Sequence, residues 1–108
     1  MNHSKELRRY PRQTAYIFAK YIVKEGARED VITNIGAGGL FVRTWEKVES
    51  GQAIVLEFPL FDFDSTIQVA GKIIRLEPSG FAVEFIKPIQ GLICRKGFFP
   101  EIVDQSET

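Results

Sequence analysis

The chain of 108 residues has the size of a single domain, and 44% hydrophobic residues is enough for one modest core. Its 14 basic and 14 acidic residues give a formal net charge of zero, which argues against a nucleic-acid polymer as partner. No stretch approaches the roughly 20 apolar residues that span a bilayer, and the single cysteine, Cys94, cannot form an intramolecular disulfide. We therefore expect a cytoplasmic protein with no membrane insertion.

Residues 1–12 are polar and basic, with almost no apolar side chains that could join a core. We predict a flexible arm here, in which Arg8 and Arg12 stand four residues apart with Arg9 between them. Pro11 favours extended angles at the residue before it. A guanidinium is permanently charged and binds phosphate oxygens or the edge of guanine with paired hydrogen bonds, so this arm suits a compact anion that carries guanines.

Short segments rich in β-branched and aromatic residues follow the arm, and Gly, Pro, Asp or Ser bound the later ones. Several alternate between apolar and polar residues, as a half-buried sheet does. Parallel pairing would need long crossover connections that this chain lacks. We therefore predict an all-β fold, an antiparallel barrel or sandwich, with six strands at residues 14–23, 29–33, 40–44, 52–58, 66–76 and 81–85.

The segment Asn34-Ile35-Gly36-Ala37-Gly38-Gly39 separates the second and third of these strands. Three glycines within four residues predict a tight, exposed connection, with backbone angles or close approaches that other residues resist. The side chain of Asn34 can both donate and accept hydrogen bonds, and the glycines let a ligand approach backbone N–H groups closely. The segment is therefore suited to reading the polar edge of a base.

After the last strand the pattern changes to apolar residues at helical spacing, which are Ile89, Leu92 and Ile93. A glycine and a proline follow and would end such an element. We predict a short C-terminal α-helix that packs on one end of the sheet structure. The folded domain would then span residues 13–103, and residues 104–108 would form a polar tail.

The arginine arm and the Asn34-x-Gly36-x-x-Gly39 segment together resemble the two motifs of the PilZ family. Residues 71–75 and 80–85 are similar to that family's later strand pair, and the resemblance covers roughly residues 7–100. It implies a six-stranded antiparallel PilZ-type β-barrel with a short C-terminal α-helix. It also implies a ligand, the bacterial second messenger cyclic di-GMP.

The resemblance implies a ligand site made of Arg8, Arg9, Arg12, Asn34, Gly36, Gly38 and Gly39. In the family the arm arginines clamp phosphates and guanines, which assigns that role to Arg8 and Arg12, with Arg9 as a helper. Gly36 stands where the family usually has a serine. The loss of one hydroxyl hydrogen bond costs about 0.5–1.5 kcal/mol, so binding would weaken by roughly tenfold or less.

These observations predict a single-domain sensor or adaptor that binds cyclic di-GMP, orders its arginine arm on the ligand and signals to a partner protein. No nucleophile, general base or metal set can be assembled from the sequence, so we expect neither an enzyme nor a cofactor. One alternative is a PilZ-fold protein-interaction adaptor that does not bind nucleotide, which Gly36 in the serine position favours.

Aromatic residues leave two further interpretations open. Tyr16, Phe18, Lys20 and Tyr21 hint at a small barrel that binds single-stranded nucleic acid, although the neutral net charge opposes it. Trp45 and the Phe98-Phe99 pair are either plugs at the barrel ends or exposed anchors for a partner protein.

Overall fold

Six antiparallel strands close into a barrel in the order β1-β2-β3-β6-β5-β4. The structure is a computed structural model and describes residues 12–59, 66–89, 92–93 and 101–102. The barrel strands are β1 (Arg12–Val23), β2 (Gly26–Gly36), β3 (Gly39–Arg43), β4 (Ala53–Pro59), β5 (Thr66–Glu77) and β6 (Gly80–Phe85). The predicted all-β, six-stranded antiparallel barrel is confirmed, and each observed strand ends within a few residues of its predicted limits.

The barrel encloses one hydrophobic core because successive side chains of a strand point to opposite faces of the sheet. Every strand contributes to this core. The rings of Tyr21 and Phe81 meet edge to face at its centre, with centroids 5.6 Å apart. The largest fully buried side chains are Tyr21, Phe58, Phe81, Ile17, Ile32, Ile35, Leu40, Ile54, Leu56, Ile73 and Val42. Burial of each such side chain contributes about 1.5–3 kcal/mol to folding.

Two glycines allow neighbouring strands to come close together. Gly80 begins β6 with a φ of 158°, and a Cβ atom there would lie 1.9 Å from the carbonyl oxygen of Val42. A Cβ atom at Gly71 would lie 2.6 Å from the carbonyl oxygen of Glu84. Both distances are far inside van der Waals contact, so neither position has room for a larger residue without movement of the backbone.

The chain beyond β6 does not follow the predicted helix where the structure describes it. Leu92–Ile93 (β7) pairs antiparallel with Glu101–Ile102 (β8), so the helix prediction is wrong at these residues. A short run of apolar residues does not distinguish a helix from a strand by its spacing, which explains the error. The remainder of the predicted helix and the predicted tail at residues 104–108 lie outside the described residues.

Candidate functional site

The glycine segment forms the tight connection between β2 and β3. Gly36 and Gly39 are paired across the two strands, and only Ala37 and Gly38 lie between them. The predicted tight turn is confirmed, but the prediction that it is exposed is wrong. Gly36 and Gly39 are buried, and Ala37 and Gly38 are half-buried.

The turn is covered because the chain that leaves β6 runs along it. The amide of Phe85 donates a hydrogen bond to the carbonyl oxygen of Gly38 at 2.9 Å, and the amide of Ile89 donates to that of Ala37 at 2.8 Å. These contacts join residues about 50 positions apart in the sequence, and a reading of local pattern does not reveal pairs of that kind. We call this part of the barrel, made of the turn 36–39, the start of β1 and residues 85–89, the glycine end.

The motif glycines do not adopt left-handed backbone angles. Among the described residues, positive φ angles occur at Gly26, Gly51 and Gly80, none of which belongs to the motif. What the motif glycines contribute is therefore the absence of a side chain around a two-residue turn.

The pairing of β1 with β2 brings the two predicted motifs together. The backbone of Arg12 lies directly opposite Gly36, and Thr14 lies opposite Asn34. Residues directly opposite each other in an antiparallel pair have Cα atoms about 4.5–5.5 Å apart. The last arginine of the arm motif thus begins β1 beside the glycine turn. Arg8 and Arg9 lie outside the described residues.

Two β-bulges flank this meeting point and were not predicted. The register of β1 against β2 shifts between Thr14 and Ile17, and that of β2 against β3 shifts between Ile32 and Asn34. A bulge bends a strand, re-aims its side chains and is over-represented next to functional sites. Asn34, which is half-buried, stands immediately after one of them. An extra residue in one strand leaves no clear mark on an apolar alternation, so neither bulge could be predicted from the sequence.

The barrel wall next to the turn offers little net positive charge. Gly39 lies opposite Glu84 in the β3–β6 pairing, and Glu84 lies opposite Lys72 in the β5–β6 pairing. Both side chains are exposed. A carboxylate and an ammonium group side by side largely offset each other's field, so an anionic ligand here would depend on the arm arginines for attraction.

The opposite end of the barrel is fastened by side chains to the connection between β3 and β4. The guanidinium of Arg28 lies 3.2 Å from a carboxylate oxygen of Glu46 and donates to the carbonyl oxygen of Lys47 at 3.1 Å. The buried Thr44 accepts a hydrogen bond from the amide of Glu46 at 3.1 Å. We call this part, made of residues 24–25, 44–52 and 78–79, the loop end.

Further contacts hold the same connection against the β1–β2 turn. Lys24 forms an ion pair with Glu49, and Gln52 donates to the carboxylate of Glu25 at 2.9 Å. The hydrogen bond to Glu49 raises the pKa of Lys24, and the hydrogen bond from Gln52 lowers the pKa of Glu25. Lys24, Glu25 and Glu49 are thus each held by another side chain of this end.

A partly buried polar contact joins β1 and β2 at the edge of the core. The hydroxyl of Tyr21, a residue only 2% exposed, donates to Asp30 at 2.7 Å. Burial, reinforced by this hydrogen bond to a carboxylate, raises the pKa of Tyr21 well above its usual value. The phenol therefore stays protonated and serves as a structural donor.

Trp45 is 88% exposed on the loop end, so it does not plug the barrel there. The Phe98-Phe99 pair lies outside the described residues. Where the structure describes the chain, no group of three or more His, Cys, Asp or Glu side chains could hold a metal ion. The same ranges contain no helix long and apolar enough to cross a membrane.

Comparisons with known proteins agree with the barrel fold. The family model for the PilZ domain matches residues 6–93. Among solved structures, the fold is similar to that of the Bacillus subtilis inhibitor of motility (MotI/DgrA), with a TM-score of 0.63 and 21% identity. The match covers 76% of this chain and 43% of that one, so this chain spans less than half of MotI/DgrA. A search of curated protein sequences found no significant match. The family match covers most of the chain, and the chain belongs to the PilZ domain family.

Proposed function

We propose that this protein is a PilZ-fold adaptor that binds cyclic di-GMP at the glycine end and passes the bound state to a protein partner. The observation that carries the proposal is the strand register, which sets Arg12 opposite Gly36. Arg8 and Arg9 are only four and three residues from Arg12 in the sequence, so in this proposal they act near the glycine turn.

The chemistry of the two motifs suits the two parts of the ligand. Arg8, Arg9 and Arg12 supply forked cationic donors for phosphates and for the O6/N7 edge of guanine. Gly36, Gly38 and Gly39 form the floor without side chains, and Asn34 supplies an amide for a base edge. In this proposal the protein acts by binding rather than catalysis, without a cofactor, in the cytoplasm.

The response to ligand would pass through residues 86–89. This segment is hydrogen-bonded to the glycine turn through Ile89 and to β5 through the amide of Ile86, which donates to the carbonyl oxygen of Ala70 at 3.0 Å. Ile86 itself is 71% exposed. A ligand that orders the arm over the turn therefore acts next to an exposed apolar residue that a partner can read.

A calorimetric titration with cyclic di-GMP tests this proposal. The native chain should bind saturably, and an Arg8→Ala/Arg12→Ala variant should lose at least about a hundredfold in affinity because two charge-assisted contacts are removed. An Arg43→Ala/Arg75→Ala variant is the matched control, since both of these exposed arginines lie away from the glycine end and their loss should leave binding unchanged. GTP should not compete.

A second candidate is an adaptor that keeps the barrel and does not bind the nucleotide. Gly36 in place of the family's usual serine favours it. The same titration separates the two: absence of heat and of any shift in melting temperature at high ligand would reject the sensor and leave the adaptor.

A further inference from the structure

The outer face of β1 exposes large apolar side chains that the glycine end does not use. Tyr16, Phe18 and Ile22 are 66%, 67% and 61% exposed, and the neighbouring Val55 of β4 is 37% exposed. The rings of Tyr16 and Phe18 are in edge-to-face contact at 5.6 Å. Several large exposed apolar side chains on one face of the barrel favour an interaction site over a scatter of single residues.

The strand pairing arranges this surface, which we call the β1 face, in rows that cross the barrel. What we call the charged row runs across β2, β1, β4 and β5. It consists of the charged Glu29, Lys20 and Glu57 and ends at the uncharged Gln68. An apolar row runs beside it on the side of the loop end, and it consists of Ala27, Ile22, Val55 and Ala70. Phe18 and Tyr16 lie on the other side of the charged row. Two grooves of about 460 and 310 Å³ meet at Lys20, Glu29 and Glu57.

We propose that the β1 face binds the same face of a second copy of this chain, about a two-fold axis that runs along the strands between β1 and β4. This axis exchanges β1 with β4 and β2 with β5. It sets Lys20 against the partner subunit's Glu57, Ile22 against the partner subunit's Val55, and Glu29 against the partner subunit's Gln68. Opposite charges face each other, apolar groups face apolar groups, and each such contact occurs twice.

Other occupants fit the charged row less well. A basic surface would meet Lys20 at the centre of the row, and an acidic surface would meet Glu29 and Glu57 on either side. Two such rows are complementary when one is shifted by one strand, because each lysine then meets a glutamate. The two-fold axis produces this shift, since it places β1 against the partner subunit's β4.

The exposed apolar area is of the size that such a contact needs. At two-thirds exposure, Tyr16 and Phe18 together offer about 300 Å², and Ile22 and Val55 raise this to roughly 450 Å². A standard interface buries about 800 Å² on each partner, of which somewhat more than half is apolar. We therefore expect a dimer that forms without nucleotide and independently of the arginine arm.

Sedimentation velocity of the full chain over a range of concentrations, without ligand, tests the proposal. The native chain should move from monomer to dimer, and Phe18→Ala should raise the dissociation constant at least about tenfold. Trp45→Ala is the matched control, because it truncates an even more exposed aromatic outside the β1 face. The proposal is overturned if the native chain stays monomeric throughout, and the β1 face is then left to a different protein. It is also overturned if only Trp45→Ala loses the dimer.

Charge reversal tests the axis itself. Lys20→Glu should weaken the dimer roughly tenfold or more because it opposes the partner subunit's Glu57, and Lys20→Glu/Glu57→Lys should restore it. Lys72→Glu is the control, since it also sets a glutamate beside a cross-strand glutamate, Glu84, but away from the β1 face. Thermal melts of dilute samples verify that each variant is folded. Failure of the double variant to restore a dimer that Lys20→Glu has weakened contradicts this axis.

Discussion

The two ends of the barrel use their polar groups in different ways. At the loop end, charged side chains such as Arg28, Lys24 and Glu49 fasten the connection between β3 and β4 to the strands. At the glycine end, the turn itself consists of glycine and alanine, and two backbone hydrogen bonds from Phe85 and Ile89 hold the chain beside it. At the loop end these charged side chains bind other groups of the protein, whereas at the glycine end a turn of glycine and alanine lies beside Arg12, the last residue of the arginine arm.

The difference extends to the glycines. Gly80, beside the loop end, has no room for a side chain. Gly36 and Gly39 instead pair with each other on either side of a two-residue turn, and neither has a positive φ angle. The first kind of glycine serves folding. In our account the second kind serves the ligand, so substitutions at the two ends should separate stability from binding.

The largest expected effect is that of Gly80→Ala on folding. The added Cβ atom would lie 1.9 Å from the carbonyl oxygen of Val42, which we expect to lower the free energy of unfolding by about 2–4 kcal/mol. Gly51→Ala is the control, because Gly51 also has a positive φ, 86°, but open space around it. It should cost only the left-handed backbone penalty of about 1–2 kcal/mol. Equal losses in urea denaturation would show that close approach is not what selects Gly80.

A smaller effect is expected from Tyr21 at alkaline pH. Because its pKa is raised in the folded chain, the folded state keeps the phenolic proton at a pH where the unfolded state has lost it. Above about pH 10 the free energy of unfolding should thus fall with a slope of up to about 1.4 kcal/mol per pH unit.

Tyr21→Phe removes the group that titrates, so denaturation measured across this alkaline range should show a shallower slope. Tyr16→Phe is the matched control, because it removes a hydroxyl from an exposed ring. An unchanged slope in Tyr21→Phe would mean that Tyr21 is not the group responsible.

The smallest expected effect is a gain in affinity at the glycine end. Gly36→Ser restores the hydroxyl that the family usually has there, and it should tighten cyclic di-GMP binding by up to roughly tenfold. Gly51→Ser, at the loop end, should leave the affinity unchanged. Calorimetric titration of both variants checks this, and weaker binding by Gly36→Ser would show that the native site is shaped around glycine.

Much of the barrel could be predicted because burial imposes an alternation that the sequence displays directly. In β4, every second residue faces the barrel core, namely Ile54, Leu56 and Phe58. The glycine segment marks the turn between β2 and β3. Local chemistry decides both features. The alternation and the turn can therefore be predicted without knowledge of any tertiary contact.

Features that depend on distant contacts could not be predicted in this way. The burial of the glycine turn comes from hydrogen bonds donated by Phe85 and Ile89, and the pairing of Leu92–Ile93 with Glu101–Ile102 overrides an apolar spacing that suggested a helix. The position of Arg12 opposite Gly36 likewise follows from the register of β1, which a bulge after Thr14 adjusts. The candidate site was thus predicted as two motifs, and the strand pairing supplied their proximity.

The most direct test of the central claim is a ¹⁵N–¹H spectrum of the native chain during titration with cyclic di-GMP. Glycine amides report on both ends at once. The account predicts that the amides of Gly36, Gly38 and Gly39 shift with the ligand while those of Gly26, Gly51 and Gly80 stay in place. Shifts confined to the loop end, or none at all at saturating ligand, would contradict the assignment of the glycine end as the ligand site.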